Sequence, residues 1–350
     1  MKEAYVAIDF GGGSGRVIAG CLFEGELVLD TIYRFPNRQV RMGGHVYWDF
    51  LSLFEDMKTG IRMAVEKGYT LKSIGIDTWG VDFGLIDKQG NLLGNPVCYR
   101  DSRTEGMPEE FFSKVDVKAH YAESGTQVMA INTLFQLYAM KKEDNAQLKV
   151  ADKLLFMPDL FSYYLTGVAN NEYSIASTSE LLDAKARTWN FKLIRELGLP
   201  EHLFGEVVMP GTSRGFLKPE IKEQIGIDYE VEVIAVVSHD TASAASVVPL
   251  SSEEKVAFLS SGTWSLLGVM SDEPILTEEA RLAGFTNEGG TDGKICFLQN
   301  ITGLWILQKL MQEWKEEGKD VAYSTLLPAA EVAETDAGGR YNFPVSGKYG

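Results

Sequence analysis

Short apolar runs, separated by turns of glycine and charged residues, open the chain. Residues 4–10 (AYVAIDF) are followed by GGGSG and then by RVIAGCLFEGELVLDTIYRF. Runs of this length with β-branched members predict a strand, a tight glycine turn, a second strand and a hairpin at residues 24–26. The same plan returns in residues 256–269 (VAFLSSGTWSLLGV). This repetition indicates a duplicated architecture, although two unrelated hairpins would give the same pattern.

Between these two segments, apolar residues recur at the spacing of helices. A helix is predicted to begin after Asp49, a residue suited to the N-cap, and to end at Gly68. The apolar positions that repeat at helical spacing within it are Leu51, Phe54, Met57, Ile61 and Val65. Residues 104–167 are predicted to be mainly helical, and residues 186–230 to mix helix with Gly/Pro turns.

Length and charge narrow the classes of function. A chain of 350 residues exceeds what one hydrophobic core usually supports, so we predict two domains, 1–248 and 249–350. The formal net charge is −16, from 33 basic and 49 acidic side chains, with no basic cluster along the chain. Because such a surface repels nucleic acids and anionic membranes, neither is expected as a partner. The oligomeric state stays open.

Cysteines and histidines argue against two further kinds of site. Cys21, Cys98 and Cys296 are odd in number and widely spread, which predicts free thiols in a reducing compartment. The first residues lead straight into a strand without a signal sequence, and no apolar run is long enough to span a bilayer, so we expect a cytoplasmic protein. The four histidines lie in separate segments without metal-ligand spacing, so a transition-metal site is not expected.

The glycine turn after the first strand is a candidate anion site. Its residues, Gly12, Gly13, Ser14, Gly15 and Arg16, would offer uncovered backbone N–H groups and one guanidinium to phosphate oxygens. Asp9, just before the turn, is placed to hold Mg²⁺ through water. The turn fits neither the dinucleotide-binding fingerprint nor the P-loop. Residues 260–263, which include Thr263, form a second such turn, and two turns facing across a cleft would hold a polyphosphate.

His239 and Asp240 raise the question of what a carboxylate does at the end of a buried strand. The run 231–237 (VEVIAVV) predicts that strand, and a helix of small residues follows the pair. Ligands bind at the carboxyl ends of strands in open α/β sheets, so Asp240 is a candidate general base. Aspartate is also among the commonest helix caps, so a structural role for Asp240 stays open.

Two polar-aromatic clusters are candidate sugar-binding segments. In residues 76–84 (IDTWGVDFG), Trp79 beside Gly80 would offer an apolar face and open backbone to a sugar ring. The charged residues there and in residues 99–104 (YRDSRT) would contact hydroxyl groups or form a buried ionic network: Asp77, Asp82, Arg100, Asp101 and Arg103. Asn300, before an amphipathic helix, suits either an N-cap or a sugar contact, whereas Gln308 lies too far along that helix to cap it.

Taken together, several separate segments resemble one family in order and spacing. The segments are AIDFGGGSGRV, SIGIDTWGVDF, YRDSRT, MPDLFSYYLTG, SHDTASA, LSSGTWSLLG, TNEGG and NITGLWILQ. They are similar to the rhamnulokinases of the FGGY carbohydrate kinase family over about residues 4 to 315. The resemblance implies an α/β fold of duplicated actin-like (ribonuclease H-like) domains, with mixed sheets flanked by helices and a cleft between them. Because members of that family continue beyond 350 residues, the second domain is expected to be incomplete here.

The resemblance also implies an activity and a set of site residues. The activity is transfer of the γ-phosphoryl group of ATP, with Mg²⁺, to the 1-hydroxyl of L-rhamnulose. Asp240 would be the base. The residues that would contact the sugar are Gly80, His239, Asp240, Thr241 and Asn300, and those along the nucleotide are Gly12, Gly13, Ser14, Gly15, Arg16, Thr263 and Gln308. The alternatives are a non-catalytic sugar-binding relative and a kinase for another ketose or polyol.

Overall fold

A computed structural model describes residues 2–248, 256–261 and 264–333 of the chain. Its strands are β1 (Lys2–Phe10), β2 (Ser14–Phe23), β3 (Glu26–Pro36), β4 (Gln39–Met42), β5 (His45–Trp48), β6 (Tyr69–Thr78), β7 (Phe83–Ile86), β8 (Lys153–Phe156), β9 (Asn171–Glu172), β10 (Leu182–Asp183), β11 (Thr188–Trp189), β12 (Val207–Val208), β13 (Ser213–Phe216), β14 (Glu232–Ile234), β15 (Ala257–Ser261), β16 (Trp264–Ser271), β17 (Phe285–Gly289) and β18 (Ile295–Thr302). Its α-helices are α1 (Phe50–Glu66), α2 (Met107–Phe112), α3 (Val117–Ser124), α4 (Thr133–Lys142), α5 (Ala146–Val150), α6 (Met157–Thr166), α7 (Tyr173–Ser177), α8 (Phe191–Glu196), α9 (Pro219–Ile225), α10 (Asp240–Ala245), α11 (Glu278–Leu282), α12 (Trp305–Glu316) and α13 (Tyr323–Ala333).

The first sheet carries the opening hairpin of the chain. Within the described residues it has six strands in the order β13-β14-β6-β1-β2-β3. The pairs β1–β2 and β2–β3 are antiparallel, whereas β6 lies parallel to both β1 and β14. The predicted hairpin at residues 24–26 is confirmed, because Glu24 and Gly25 both have positive φ and form the turn between β2 and β3.

Helix α1 covers one face of this sheet, as its periodicity predicts. The Asp49 carboxylate caps it by accepting a hydrogen bond from the Ser52 backbone N–H at 3.3 Å, and Gly68 follows it with φ +89°. Its buried face consists of Phe50, Leu53, Met57, Gly60, Ile61 and Ala64. Leu51 was predicted on that face but is 65% exposed, because the helix begins at Phe50 and turns Leu51 outward.

The second sheet is antiparallel and packs against the first part of the chain. Its order is β15-β16-β18-β17, and β15–β16 repeats the hairpin plan of β1–β2. Ala242 and Ala245 of α10 pack in one buried cluster with Phe258, Leu266 and Leu298 of this sheet. Because residues 235–239 join β14 to α10 and bridge to β6 at His239, this contact places the start of α10 between the two sheets.

Two expectations about local structure need correction. The run 231–237 forms a strand only over Glu232–Ile234, after which the chain pairs with β6 through a single bridge between Thr78 and His239. Strand β8, inside the segment predicted to be helical, pairs with β7 instead. All three cysteines are free and buried, as predicted. Within the described ranges no helix has the length and apolar character needed to cross a membrane.

Candidate active site

Asp240 is the first residue of α10, at the end of the chain segment that leaves β14. The N-cap position belongs to His239, and among the described residues the Asp240 carboxylate accepts hydrogen bonds from its neighbour Thr241, at 2.6 Å from the backbone N–H and 3.2 Å from Oγ1. Asp240 is therefore not the N-cap residue, although it does accept one N–H of the first helical turn. Its side chain stays 38% exposed, so the carboxylate is open to a ligand.

Asp240 shares its surroundings with Asp9 and Asp77, and we call these three residues the carboxylate cluster. Asp9 and Asp77 are register partners on the parallel strands β1 and β6. Burial raises the pKa of Asp77 well above its usual range, and the charges of Asp9 and Asp240 raise it further. Burial likewise raises the pKa of Asp240, whereas the nearby His239 lowers it. Burial and mutual repulsion thus favour protonation within the cluster, and a nearby cation would favour its ionised form.

His239 lies between two carboxylates. Its Nε2 is 3.5 Å from Asp240 Oδ1, and its Nδ1 is 3.0 Å from Oε2 of Glu288 on β17. Burial alone would lower the pKa of His239, but the charges of Glu288, Asp240 and Glu172 outweigh burial and raise it to about 9. The ring is thus an imidazolium at neutral pH. The Glu288 contact was not predicted, because no local pattern links a residue of the TNEGG segment to one almost 50 positions earlier.

A fully buried glutamate, Glu172, holds the backbone before Asp240. Its carboxylate accepts hydrogen bonds from the Ser174 and Ile175 backbone N–H groups, the Ser174 hydroxyl and the Ser238 backbone N–H. Ser174 Oγ in turn accepts from the N–H groups of Ser238 and His239 at 2.9 and 3.2 Å. Burial raises the pKa of Glu172 to about 7, although its hydrogen bonds oppose this shift. No sequence motif marks Glu172 as a residue of this site, so it was not predicted.

The loop that contains Gly80 approaches the site closely. A Cβ on Gly80 would lie 3.3 Å from His239 Nε2 and 3.2 Å from Thr178 Cγ2, so only glycine leaves this edge of the imidazole free. Trp79, by contrast, is 5% exposed and packs against Trp48, with the ring centroids 4.1 Å apart and the ring planes tilted by 39°. Its predicted role as a platform for a sugar ring is therefore wrong.

The charged residues around this loop divide into two groups. Asp82 is fully buried and accepts hydrogen bonds from Trp48, Trp79, Gln136 and the Tyr99 backbone N–H. Asp101 is buried and bonded to His45 and to the Val46 N–H, and Arg103 donates to Gln136. These three belong to a structural network, which was one of the two alternatives. Asp77 and the exposed Arg100 remain as candidate ligand contacts.

The glycine turn combines a packing role with an open edge. Its tip closes through the hydrogen bond from Gly11 N–H to the Ser14 carbonyl at 2.9 Å. Gly13 has open space around it, and a Cβ on Gly12 would lie 3.7 Å from both the Tyr99 hydroxyl and an Arg100 nitrogen. Gly15 lies in β2 beneath the Phe35 ring, 2.3 Å from where its Cβ would be. Of the residues predicted to contact the nucleotide, Gly12 and Gly13 are thus accessible, whereas Gly15 is covered by the Phe35 ring.

The acidic and basic residues that flank this turn form an ion pair. Arg16 Nε lies 2.8 Å from Asp9 Oδ2, because the two residues are cross-strand partners on β1 and β2. In the described part of the chain no group of three or more His, Cys, Asp or Glu residues has the arrangement of a metal cage.

The remaining predicted site residues lie on or beside the second sheet. Asn300 was predicted either to cap a helix or to contact the sugar. It lies inside β18, so the prediction of a helix cap is wrong. Its Nδ2 donates a hydrogen bond to Gln127 Oε1 at 3.1 Å. Gln308 lies in the first turn of α12, since that helix begins only at Trp305. Thr263 lies outside the described residues.

Known proteins resemble this chain over most of its length. The N-terminal domain of the FGGY family of carbohydrate kinases matches residues 4–246, and the C-terminal domain of the same family matches residues 257–347. A rhamnulokinase of Bacteroides thetaiotaomicron is 44% identical over 334 residues, which are 95% of this chain and 68% of that protein. A rhamnulokinase of Oceanobacillus iheyensis is 40% identical over 317 residues, or 91% of this chain and 67% of that protein.

Solved structures confirm the fold class. A ligand-bound xylulose kinase from Lactobacillus acidophilus superposes with a TM-score of 0.79 at 16% identity, over 89% of this chain and 62% of the other. The chain thus spans about two thirds of the length of the proteins it matches. The predicted duplicated α/β kinase fold and the predicted family are both confirmed. This protein therefore belongs to the FGGY family of carbohydrate kinases.

Proposed function

We propose that this chain carries the sugar site and part of the nucleotide site of an ATP-dependent kinase that phosphorylates L-rhamnulose on its 1-hydroxyl. The observation that carries the proposal is the partly exposed carboxylate of Asp240, which lies 3.5 Å from the same His239 nitrogen that Gly80 leaves uncovered. The choice of sugar follows the rhamnulokinases that are 40–44% identical to this chain. Residues 1–248 would form the sugar lobe, and residues 249–350 the beginning of the nucleotide lobe.

In this mechanism Asp240 accepts the proton of the attacking hydroxyl. Phosphoryl transfer proceeds through a loose transition state, so a carboxylate of modest basicity is sufficient if it is correctly placed. Thr241 fixes one carboxylate oxygen through two hydrogen bonds, and the second oxygen is left for the substrate. His239 favours the ionised form of Asp240, which is the form that a base requires. Gly80 and Asn300 would border the sugar.

The nucleotide phosphates would lie against the open part of the glycine turn. Gly12 and Gly13 present backbone there, with the Tyr99 hydroxyl and the Arg100 guanidinium nearby. Ser14, Arg16, Thr263 and Gln308 stay predicted contacts. The three buried, free cysteines support the predicted location in a reducing cytoplasm.

Mg²⁺ is the cation that such a kinase requires, and the donor set here fits one held through water. The acidic groups of the carboxylate cluster repel one another, which a bound cation would relieve, and one oxygen of Asp9 is already paired with Arg16. Asp9 would hold the hydrated ion through its other oxygen. When bound, the ion would neutralise charge on the phosphates of ATP.

A coupled assay of ADP formation with a panel of ketoses and polyols tests the proposal. We expect turnover with L-rhamnulose, and Asp240→Asn should lower kcat at least ~10²-fold while sugar binding by calorimetry is kept. Asp228→Asn, an exposed aspartate elsewhere, is the matched control. Sugar binding without ADP formation would favour the non-catalytic alternative, and turnover with another sugar would change the substrate. Near-normal turnover of Asp240→Asn would remove Asp240 as the base.

A further inference from the structure

Glu288 of the second sheet reaches the residue next to the proposed base. Its side chain is 8% exposed, and its Oε2 lies 3.0 Å from His239 Nδ1. The geometry of this contact falls short of a hydrogen bond, and neither atom has another partner among the described residues. Attraction between these atoms is therefore mainly Coulombic, which requires that the ring carry a proton on both nitrogens.

The backbone on both sides of Glu288 is anchored to the first part of the chain. The Gly289 N–H donates to Ser177 Oγ at 2.7 Å, and the Asn287 N–H donates to the Gly125 carbonyl at 2.9 Å. The Asn287 side chain donates to the same carbonyl. The backbone on either side of Glu288 is thus fixed. Burying an apolar side chain at this position would cost less free energy than burying a carboxylate.

The groups that face His239 are mostly acidic. Asp240 comes from its own helix, Glu288 from β17, Glu172 from the start of α7 and Asp77 from β6. Gly80 lies against the Nε2 edge and adds no charge. Together the carboxylates overcome the cost of burying a cation, which is why the pKa of His239 is raised to about 9.

We propose that Glu288 is a positioning residue that holds the His239 ring as an imidazolium against the Asp240 carboxylate. The Glu288 carboxylate on the second sheet thereby keeps the His239 ring charged. That ring is the counter-ion of the proposed base, Asp240, in the first part of the chain. Burial raises the pKa of Asp240, and the imidazolium opposes that rise, so it favours the ionised form that a base requires. Glu288 acts through His239 and need not touch the substrate.

Nuclear magnetic resonance of the full chain with labelled histidine tests this proposal without any activity. The chain has four histidines, and His239→Gln assigns the signal of His239. We expect His239 to titrate near pH 9 in the unmodified protein, and its pKa to fall by at least about one unit in Glu288→Gln. Glu288→Asp, which keeps the charge, should retain most of the elevation. Glu279→Gln removes an equal charge from an exposed position of the same region and should change nothing.

A pKa of His239 near its ordinary 6.5 in the unmodified protein, or an unchanged pKa in Glu288→Gln, would overturn the proposal. The first of these results decides the matter even if Glu288→Gln does not fold. A second measurement rests on the proposed function: the alkaline limb of the pH profile of kcat/KM, where the imidazolium loses its proton, should move to lower pH by about one unit in Glu288→Gln. If the unmodified chain has no kinase activity, the proposed function fails, while the titration still decides the role of Glu288.

Discussion

Replacing Gly15 and Gly13 separately by alanine distinguishes the two roles of the glycine turn. The two residues are two positions apart, yet a Cβ on Gly15 would lie 2.3 Å from two carbons of the Phe35 ring, whereas a Cβ on Gly13 meets nothing within 4 Å. Gly13 has no positive φ, so alanine fits its backbone without strain. We therefore expect Gly15→Ala to destabilise the fold and Gly13→Ala to leave it intact.

The size of the effect follows from how tightly Phe35 is held. Phe35 is 3% exposed, with its ring centroid 5.5 Å from that of Phe10 and 5.6 Å from that of Tyr33. The ring must move by about 1 Å to restore an ordinary contact, and overpacking of this kind costs about 1–3 kcal/mol. Gly13→Ala should change the free energy of unfolding by less than about 1 kcal/mol, in the stabilising direction, because it restricts the unfolded chain.

Urea denaturation followed by tryptophan fluorescence measures both free energies, and calorimetric titration with Mg-ATP measures the second role. Gly13→Ala should weaken ATP binding without lowering the stability of the fold. The double variant Gly15→Ala/Phe35→Leu should recover part of the lost stability, since leucine vacates the space of the ring edge. The reasoning is refuted if Gly15→Ala is as stable as the unmodified protein, or if the double variant loses as much as the two single variants combined.

Two further predictions concern buried carboxylates. Asp82→Ala should lower the free energy of unfolding by about 3–5 kcal/mol, because it leaves two indole N–H groups, an amide and a backbone N–H without an acceptor. Asp82→Asn keeps one acceptor oxygen and should cost less. Denaturation of both variants measures the two losses, and equal losses would contradict this prediction. The pKa of Glu172, about 7 in the folded protein against an ordinary 4.5, means that its contribution to stability is complete below pH 4.5 and is lost as the pH rises to 7, by up to about 3 kcal/mol. The stability of Glu172→Gln relative to the unmodified protein should therefore rise across that window, and parallel curves would refute the assignment.

Much of the fold follows from local patterns in the sequence. The β2–β3 turn, helix α1 with its Asp49 cap and the two similar hairpins all rest on signals within a few residues, which is why they could be predicted. Asn300 shows where such reasoning stops. An asparagine before an amphipathic run looks like a cap, but pairing with β16 extends β18 through residue 302 and moves the start of α12 to Trp305. The partner strand that decides this lies about 35 residues away.

The candidate site shows the same limit more sharply. Local sequence placed Asp240 at the start of a helix but left open whether it was a cap or a base. The position of Asp240 one residue inside α10 depends on Glu172, which bonds the preceding backbone, and its surroundings depend on Glu288, which contacts His239 from another sheet. Both partners are about 50 or more residues away, and neither carries a motif. Trp79 was misjudged for a related reason, because only the tertiary structure buries it against Trp48.

The charges at the site also bear on how the two substrates would enter it. Asp9, Asp77, Asp240, Glu172 and Glu288 are all acidic, whereas the cations beside them are Arg16 and the His239 imidazolium. A neutral sugar neither gains nor loses from this surplus, and its hydroxyls find acceptors there. A triphosphate is repelled unless a divalent cation accompanies it. If the proposed function holds, sugar affinity should therefore change little with salt, whereas ATP affinity should depend strongly on Mg²⁺, and calorimetry with and without a chelator measures the difference. Equal ATP affinity in both conditions would contradict the view that the acidic side chains of the site repel the phosphates.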